Sequence, residues 1–274
     1  MSEPITAVGA AAIAAYLGKD GLQKLLGPTA SYLGEEIKTL VEKSHHNLGR
    51  IFKKAIQKLG NRIEMPGTVS PRVLKHVYEE GRFCEDDIAA EYFAGILAGS
   101  RSERPSDDRA LVYIDTLKAL SFFDIRLHYL SYITIRRAYI GINGTAGCLG
   151  TEINSLNRSV GIPLKYFETI AKIKTTEDGV FLANSSIDNL GRLHLILPRS
   201  ELYTQSLPAG KKKKFIDVFP REFGANLFLW VHGYANLRPG ELFNEELEIT
   251  PLSDLDLPDL ENLDIPSTYS ERHP

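Results

Sequence analysis

The chain contains few of the residues from which metal centres and membrane spans are built. Its 274 residues include only two cysteines, Cys84 and Cys148, which lie far apart among apolar neighbours. Neither has a second Cys or a His nearby at zinc-like spacing, so both indicate reduced, buried thiols of a cytoplasmic protein. No stretch reaches the roughly 18 to 20 apolar residues that a membrane span requires. These absences argue against a zinc site and against a membrane-spanning helix.

An excess of charge of one sign is also missing. The formal net charge is -3, which is not typical of a dedicated nucleic-acid-binding protein, although charge is distributed unevenly along the chain. The N-terminus has no basic start before its apolar segment, which argues against a signal peptide. We therefore expect a cytoplasmic protein in which local charged patches matter more than the total charge.

The candidate catalytic residues do not form a recognised motif. Asp86, Asp87 and Glu91 could be read as metal-binding carboxylates, but at the start of a helix their negative charges interact favourably with the helix dipole. Gly144-Thr145-Ala146-Gly147 lacks the strand, the lysine and the following helix of a phosphate-binding loop, and His128 is expected to be a partly buried helix residue. We predict no catalysis, cofactor, metal or small-molecule substrate. A hydrolase site assembled from distant residues remains the open alternative.

The strongest pattern in the sequence is a helix between Glu85 and Gly99 that is apolar almost all the way round. Two neighbouring helical rows are apolar or aromatic, and only Glu91, Gly95 and Ala98 leave one face open. A helix with so little polar surface is typical of a buried position. We predict that it is the centre of an N-terminal helical lobe comprising residues 1–104.

A long amphipathic pattern and an uncharged segment complete the predicted N-terminal lobe. After Gly27-Pro28, apolar residues at steps of three and four predict a helix of roughly 30 residues. The segment from Ile5 to Leu17 is too short to span a bilayer and favours tight packing or self-association, with contact to a membrane surface as the alternative. The residues that we assign to this assembly or membrane contact are Ile5, Val8, Ile13, Tyr16 and Leu17.

Basic side chains crowd the end of the long helix. Arg50, Lys53, Lys54 and Lys58 lie where the helix dipole favours positive charge, and a solvated helix face explains them adequately. A contact with a membrane surface or with nucleic acid is the alternative interpretation.

Residues 105–250 predict a second, winged-helix-like α+β lobe with a small β-hairpin. A short helix over residues 163–170 precedes a recognition-like helix over residues 185–193, and a strand at residues 195–197 follows. The wing is predicted over residues 198–210, with lysines on the returning strand. Such a wing can contact phosphates, although many winged helices bind proteins and lysines also protect strand edges. The candidate nucleic-acid or anion contacts are Arg192, Lys211, Lys212, Lys213 and Lys214.

The acidic segment over residues 251–274 contains too little apolar surface to form a core of its own. We predict a flexible tail that either covers the basic end of the long helix or binds a partner. With this tail, the predicted fold class is mostly α, in an N-terminal helical lobe and a winged-helix-like lobe.

Four segments together resemble the bacterial abortive infection alpha (Abi-alpha) family. They are residues 26–35, 86–98, 187–193 and 223–233, which follow one another in order across roughly residues 20–235. The resemblance implies defence against bacteriophage, in which an infected cell is arrested or killed before phage release. It implies no established catalytic motif. One departure is His194, which stands where this kind of helix end commonly has glycine, so the following turn is expected to be built differently.

The sequence therefore supports two functional hypotheses. The first is an antiphage defence protein that acts by abortive infection without catalysis, through protein assembly or membrane contact of its N-terminal helices. It requires a protein partner or self-association and a cytoplasmic location, with membrane association on activation. The alternative is a nucleic-acid-binding regulator or sensor that uses the lysine-rich hairpin.

Overall fold

The structure is a computed structural model that describes residues 34–140, 159–206, 212–249 and 252, with only the backbone described over residues 34–45. These ranges contain eight α-helices and one small three-stranded antiparallel sheet. The predicted fold class, mostly α with a small β-hairpin region, is confirmed.

The chain divides into two compact units. Unit 1 contains the described residues through Ala119 together with Trp230–Asn236, and unit 2 contains Leu120–Leu229 and the described residues from Leu237 onward. The division falls after Ala119, so the lobe boundary that the sequence places near Pro105 lies inside unit 1.

The described part of unit 1 contains four helices. They are α1 (Gly34–Leu59), α2 (Pro71–Gly81), α3 (Asp87–Gly99) and α4 (Leu111–Lys118), and a short 3-10 helix, Gly60–Glu64, follows α1. Unit 2 contains α5 (Phe122–Tyr139), β1 (Val160–Pro163), α6 (Leu164–Ile170), α7 (Thr176–Arg192), β2 (Glu201–Ser206), β3 (Lys212–Val218) and most of α8 (Glu222–Val231), followed by a 3-10 helix, Pro239–Phe243.

Helix α3 lies at the centre of unit 1, as its apolar sequence predicts. Asp86 caps it, since its Oδ1 accepts hydrogen bonds from the backbone N–H groups of Ile88 at 3.1 Å and Ala89 at 2.9 Å. Tyr92 and Ile96 have no solvent exposure. The second half of α1 packs along α3 and buries the predicted apolar positions Leu48, Ile51, Ala55 and Leu59.

The face of α3 with small residues is covered, not open. A Cβ atom on Gly95 would lie 2.0 Å from the carbonyl oxygen of Val231, and one on Gly99 would lie 3.0 Å from the Cβ of Ala235. The segment Trp230–Asn236, which the sequence assigns to the second lobe, therefore belongs to unit 1 and packs against this face. Glycine is required at position 95 because only a residue without a side chain permits this approach.

Unit 2 has the topology of a winged helix. Its described elements follow the order α5, β1, α6, α7, β2, β3, and β3 lies between its two antiparallel neighbours. The register pairs Val160 with Val218 on one side of β3 and Ser206 with Lys212 on the other. The predicted succession of two helices and a hairpin is correct, and strand β1 is an addition that the sequence did not predict.

Two of the predicted boundaries are wrong. Strand β2 begins at Glu201, inside the segment predicted as the wing, whereas residues 195–197 contribute only a bridge between Ile196 and Pro220. The recognition-like helix begins at Thr176 and not at Ser185.

The C-terminal segment of unit 2 packs on α5. The Arg136 guanidinium donates to the backbone carbonyls of Leu242, Asn244 and Leu247. Leu252 is buried, and its N–H donates to the Tyr129 hydroxyl at 3.0 Å. Leu252 thus lies in the packed structure, although it falls within the predicted tail, whose other residues lie outside the described ranges.

Candidate functional site

Helix α7 is held in unit 2 by one face and by its first turn. The Thr175 hydroxyl caps the helix by accepting from the Asp178 N–H at 3.1 Å. The Asn189 side chain donates to Asp124 Oδ2 on α5 at 2.7 Å, which ties the helix to its neighbour. The buried face consists of Gly179, Ala183, Ser186, Ile187 and Leu190.

The opposite face of α7 is exposed and carries an aromatic ring among acidic groups. Phe181 is 70% exposed, the largest exposure among the large hydrophobic residues of the described chain. Asp178 lies beside it at the helix start, and the guanidinium of Arg192 at the other end donates to Asn189 Oδ1 at 2.6 Å. We call this face the α7 stripe: Glu177, Phe181, Asn184, Ser185, Asp188 and Arg192, which are all exposed and recur at steps of three or four apart from the adjacent pair Asn184 and Ser185.

The composition of the α7 stripe does not suit a DNA major groove. Phosphate charge dominates the affinity of proteins for nucleic acids, so a docking helix gains from Lys and Arg and loses from carboxylates. With Asp178, the stripe presents three carboxylates and only one guanidinium, that of Arg192. An exposed ring with acidic neighbours is better matched to a protein surface, where aromatic side chains are the commonest anchors.

The turn after α7 is a Schellman motif in which a histidine occupies the usual glycine position. His194 adopts a left-handed conformation with a φ of 61°. Its N–H donates to the Gly191 carbonyl at 3.1 Å, and the Leu195 N–H donates to the Leu190 carbonyl at 2.8 Å. The expectation that histidine at this position leads to a differently built turn is therefore wrong. His194 adopts the left-handed conformation of the usual glycine, with the backbone strain that glycine would avoid.

Replacing His194 by glycine should stabilise unit 2 by about 1 kcal/mol, since it removes the left-handed strain and loses less through the greater freedom of the unfolded chain. Urea unfolding followed by circular dichroism measures this change. His194→Ala is the matched control, because alanine keeps the strain and should give no comparable gain. Equal stability of wild type, His194→Gly and His194→Ala would show that the left-handed conformation of His194 costs no stability.

The first half of β3 is basic and exposed, and the second half is buried. Lys214 lies opposite Thr204, Lys213 opposite Gln205 and Lys212 opposite Ser206. Lys212 and Lys214 are exposed, and the ammonium of Lys213 lies 5.1 Å from the centroid of the Phe215 ring. We call Lys212–Lys214 the lysine strand. Within the described part of the chain, none of its three ammonium groups forms an ion pair.

The other residues predicted for contact divide into two groups. Arg192 lies on α7 and the lysine strand on β3, and among the described side chains no hydrogen bond joins them. Lys211 lies outside the described residues, as do Ile5, Val8, Ile13, Tyr16 and Leu17.

The N-terminal half of the α7 stripe lies outside the helix that the sequence predicts. Glu177, Asp178 and Phe181 precede the predicted helix start at Ser185. The signal that could have located them is Thr175-Thr176-Glu177-Asp178, in which a threonine and an acid three residues later form a helix start.

The basic end of α1 is neutralised inside unit 1. Lys54 Nζ lies 2.5 Å from Glu91 Oε1 and Lys58 Nζ lies 2.7 Å from Glu91 Oε2, with only about a tenth of each side chain exposed. Arg50 pairs with Asp87 at 2.5 Å. Lys54 and Lys58 are therefore not solvated, and this part of the prediction is wrong. The alternative, in which they contact a membrane surface or nucleic acid, is also wrong, because both lysines form ion pairs with Glu91 inside the unit.

The acidic residues at the start of α3 have structural partners. Burial alone would raise the pKa of Glu91, but the charges and hydrogen bonds of Lys58 and Lys54 hold it below its usual value. Among the residues that the structure describes, no group of three or more His, Cys, Asp or Glu side chains is placed to hold a metal ion.

The buried titratable groups outside this cluster are chemically quiet. Burial raises the pKa of the Cys84 thiol to about 12, so it carries no reactive thiolate near neutral pH. His128 is fully buried, more than the sequence predicts, and burial lowers its pKa to about 3 despite the hydrogen bond between Nε2 and the Gly224 carbonyl at 3.1 Å. The imidazole is therefore neutral and donates through Nε2.

The neutral state of His128 predicts an acid-dependent loss of stability in unit 2. Its pKa is about 3 when folded. Because an unfolded histidine binds a proton near pH 6.5 and the folded one does not, unfolding becomes about 2 kcal/mol easier between pH 7 and pH 5. Urea unfolding at both pH values measures the difference. His128→Gln keeps a donor without the titration and should show a smaller pH effect; an identical pH effect in both proteins would exclude His128 as the cause.

The chain gave negative results both for membrane-spanning helices, among its described residues, and for similarity to known proteins. In the described ranges, no helix combines the length and the apolar character needed to cross a membrane. Comparison of the chain with protein-family models, with curated proteins and with solved structures gave no match. The resemblance to the Abi-alpha family stays a prediction from the quoted segments.

Proposed function

We propose that this chain is a cytoplasmic antiphage defence protein that acts by abortive infection, without catalysis, by binding protein. The observation that carries the proposal is the α7 stripe, in which the exposed ring of Phe181 lies among carboxylates at the position that a DNA-reading winged helix would fill with cations. The resemblance to the Abi-alpha family supports the defence role.

The segments that carry the resemblance are mainly structural. Residues 86–98 form the buried helix α3, and residues 223–233 form α8 and the turn after it, in which Leu227, Phe228 and Leu229 have no solvent exposure. Buried residues specify a fold and leave the choice of partner to the surface. The function therefore depends on exposed features such as the α7 stripe.

The test is phage challenge of a bacterial culture that expresses the chain. We expect wild type to reduce plaque formation and infected cells to die before phage release. Phe181→Ala removes the exposed ring and should reduce protection about tenfold, as truncation of an aromatic anchor does, without unfolding the protein.

Phe83→Ala is the matched control, because Phe83 is 69% exposed on unit 1 and the substitution is the same. It should protect like wild type. Absence of protection by wild type would refute the defence role. Full protection by Phe181→Ala would show that the α7 stripe is not the functional surface.

A second part of the proposal concerns the uncharged N-terminal segment, which we assign to assembly or to a membrane surface on activation. Its residues Ile5–Leu17 contain no charge. Deletion of residues 1–27 should abolish protection, and the full chain should release dye from liposomes more than the deletion variant does. Intact protection by the deletion variant would remove this part of the proposal.

Nucleic-acid binding is the second candidate function, and the lysine strand favours it. Three neighbouring ammonium groups without ion pairs in the described chain suit a phosphate backbone. The candidate predicts DNA or RNA binding that weakens with salt and with replacement of Lys211–Lys214 by alanine. Arg72→Ala combined with Lys75→Ala, two exposed cations of unit 1, is the control. Failure to bind at low salt would refute the candidate.

A further inference from the structure

We propose that the partner of the α7 stripe is a second copy of this chain, which the stripe contacts through the lysine strand. The inference rests on the proposed function, which assigns protein binding to the stripe, and it adds the identity of the partner. The two surfaces lie on different elements of unit 2, α7 and β3. Each molecule thus presents one surface of each kind.

The charges of the two surfaces are complementary. Glu177, Asp178 and Asp188 give the α7 stripe and its border an acidic character, and Lys212–Lys214 give the strand three positive charges. No ion pair within the described chain neutralises either set. Several opposite charges that meet across one contact favour association and fix which surfaces meet, and salt screens this attraction.

The apolar features are complementary as well. Phe181 lies on the exposed face of α7, and 70% of the residue is exposed to solvent. On the hairpin of β2 and β3, the half-buried Leu202 lies on the same face as Lys212 and Lys214, whereas Tyr203 and the buried Phe215 alternate onto the other face. The stems of Lys212 and Lys214 on this face add apolar surface beside Leu202 and a cation for an incoming ring. The hairpin can therefore receive both the ring and the carboxylates of the α7 stripe.

A second copy accounts for both surfaces, whereas nucleic acid accounts for only one. A phosphate backbone would neutralise the lysine strand but would leave Phe181 exposed and would repel Glu177 and Asp188. Because the two contacting surfaces differ, the contact is heterologous, and successive copies extend into a ring or a chain. Assembly should therefore grow with protein concentration and decline with salt.

The experiment uses two charge-reversed variants of the full chain. One carries Glu177→Lys and Asp188→Lys, and the other carries Lys212→Glu and Lys214→Glu. In sedimentation velocity at low salt, wild type should form dimers and larger species that dissociate as salt increases. Each variant alone places like charges across the contact, and we expect its association to weaken about a hundredfold. An equimolar mixture restores opposite charges at both surfaces and should associate within about threefold of wild type.

The controls separate the surface from the total charge. Glu79→Lys with Asp115→Lys, and Arg72→Glu with Lys75→Glu, reproduce the two changes in net charge at partly or largely exposed positions of unit 1. Both should associate like wild type, and Phe181→Ala should associate less. Circular dichroism verifies that every variant is folded.

Three results would overturn the inference: a wild type that stays monomeric at low salt, a reversed variant that still associates, or a mixture that does not recover. A monomeric wild type that binds nucleic acid through the lysine strand would replace self-association by the second candidate function. Loss of phage protection in Phe181→Ala without any self-association would preserve the proposed function with a different protein partner. The two proposals therefore fail separately.

Discussion

Replacing Gly95 by alanine should destabilise unit 1 by about 4 kcal/mol, because the added methyl group would overlap the backbone of Val231. The new Cβ would lie 2.0 Å from the carbonyl oxygen of Val231 and 2.3 Å from its carbonyl carbon. Neither atom can rotate away as a side chain would, so the segment Trp230–Asn236 must leave its place on α3 or the helix must move. The gain in helix propensity from Gly to Ala is about 1 kcal/mol and does not offset this cost.

The only tryptophan of the chain reports directly on this contact. Trp230 is 5% exposed, and its ring centroid lies 4.8 Å from that of Tyr113. In Gly95→Ala, we expect its fluorescence to shift to longer wavelength before urea is added and the unfolding midpoint to fall. An unchanged emission maximum with an unchanged midpoint would show that the close approach of Gly95 and Val231 does not exist in solution.

The same substitution at Gly191 is the matched control and should act in the opposite direction. Gly191 lies in α7, and a Cβ there would meet only the Cα of Pro198 at 3.9 Å, an ordinary contact. Gly191→Ala should therefore stabilise unit 2 by about 0.5 to 1 kcal/mol through helix propensity. Opposite signs at the two sites would separate the clash from a general effect of alanine.

The glycine face of α3 also shows how far the sequence alone could predict the packing. The apolar rows identify a central helix, and Gly95 marks one face as different, because small residues signal that something approaches closely. They do not say what approaches. The covering segment Trp230–Asn236 lies far along the chain, and its first two residues still belong to helix α8, so its sequence does not assign it to unit 1.

In unit 2 the succession of two helices and a hairpin was predictable, whereas strand β1 and two element boundaries were not. Strand β2 has no buried residue among its described side chains, so its sequence resembles a polar loop. It is a strand because Leu202 and its neighbours pair with β3, and tertiary pairing of this kind outweighs local propensity. Helix α7 was shortened for a related reason, since its exposed first half around Phe181 has a weaker apolar pattern than the half around Ile187.

The exposure of basic side chains is a third feature that the sequence alone predicts only in part. The sequence shows which residues are basic, and it correctly predicts that Lys212–Lys214 stand on a strand. Whether a cation meets solvent depends on which elements pair, and that is why Lys54 and Lys58 were predicted to be solvated although they face Glu91 on the neighbouring helix.

Replacing Glu91 by alanine should destabilise unit 1 by about 3 to 5 kcal/mol, since it removes the carboxylate with which two largely buried ammonium groups pair. Lys54 and Lys58 each have 13% of the side chain exposed, and both contact the same carboxylate. Urea unfolding of wild type and Glu91→Ala at pH 7, followed by circular dichroism, measures the difference. Glu79→Ala removes an exposed acid whose ion pair with Lys75 is 3.7 Å long, and it should cost less than about 1 kcal/mol.

The cost of losing Glu91 should depend on pH in a defined direction. The pKa of Glu91 is lower in the folded chain than its ordinary value, because the attraction of Lys58 and Lys54 exceeds the effect of burial. A carboxyl with a lowered folded pKa stabilises the fold above its unfolded pKa, about 4.3, and loses this contribution as the pH falls through the folded value. The gap between wild type and Glu91→Ala should therefore narrow in acid. A gap that stays constant from pH 7 to pH 3 would contradict an ionic role for Glu91.

Removing all three charges distinguishes the ionic cluster from the packing around it. A variant with Lys54→Met, Glu91→Leu and Lys58→Met removes the two ammonium groups together with the carboxylate that they share, and the apolar side chains fill a similar volume. Buried ion clusters replaced in this way are often neutral or gain about 1 to 4 kcal/mol, since the cost of desolvating the charges disappears. We expect the triple variant to recover at least the stability of wild type, although it contains the substitution of the residue whose single loss is so costly. A triple variant as unstable as Glu91→Ala would show that the position of these side chains, and not the balance of their charges, holds α1 against α3.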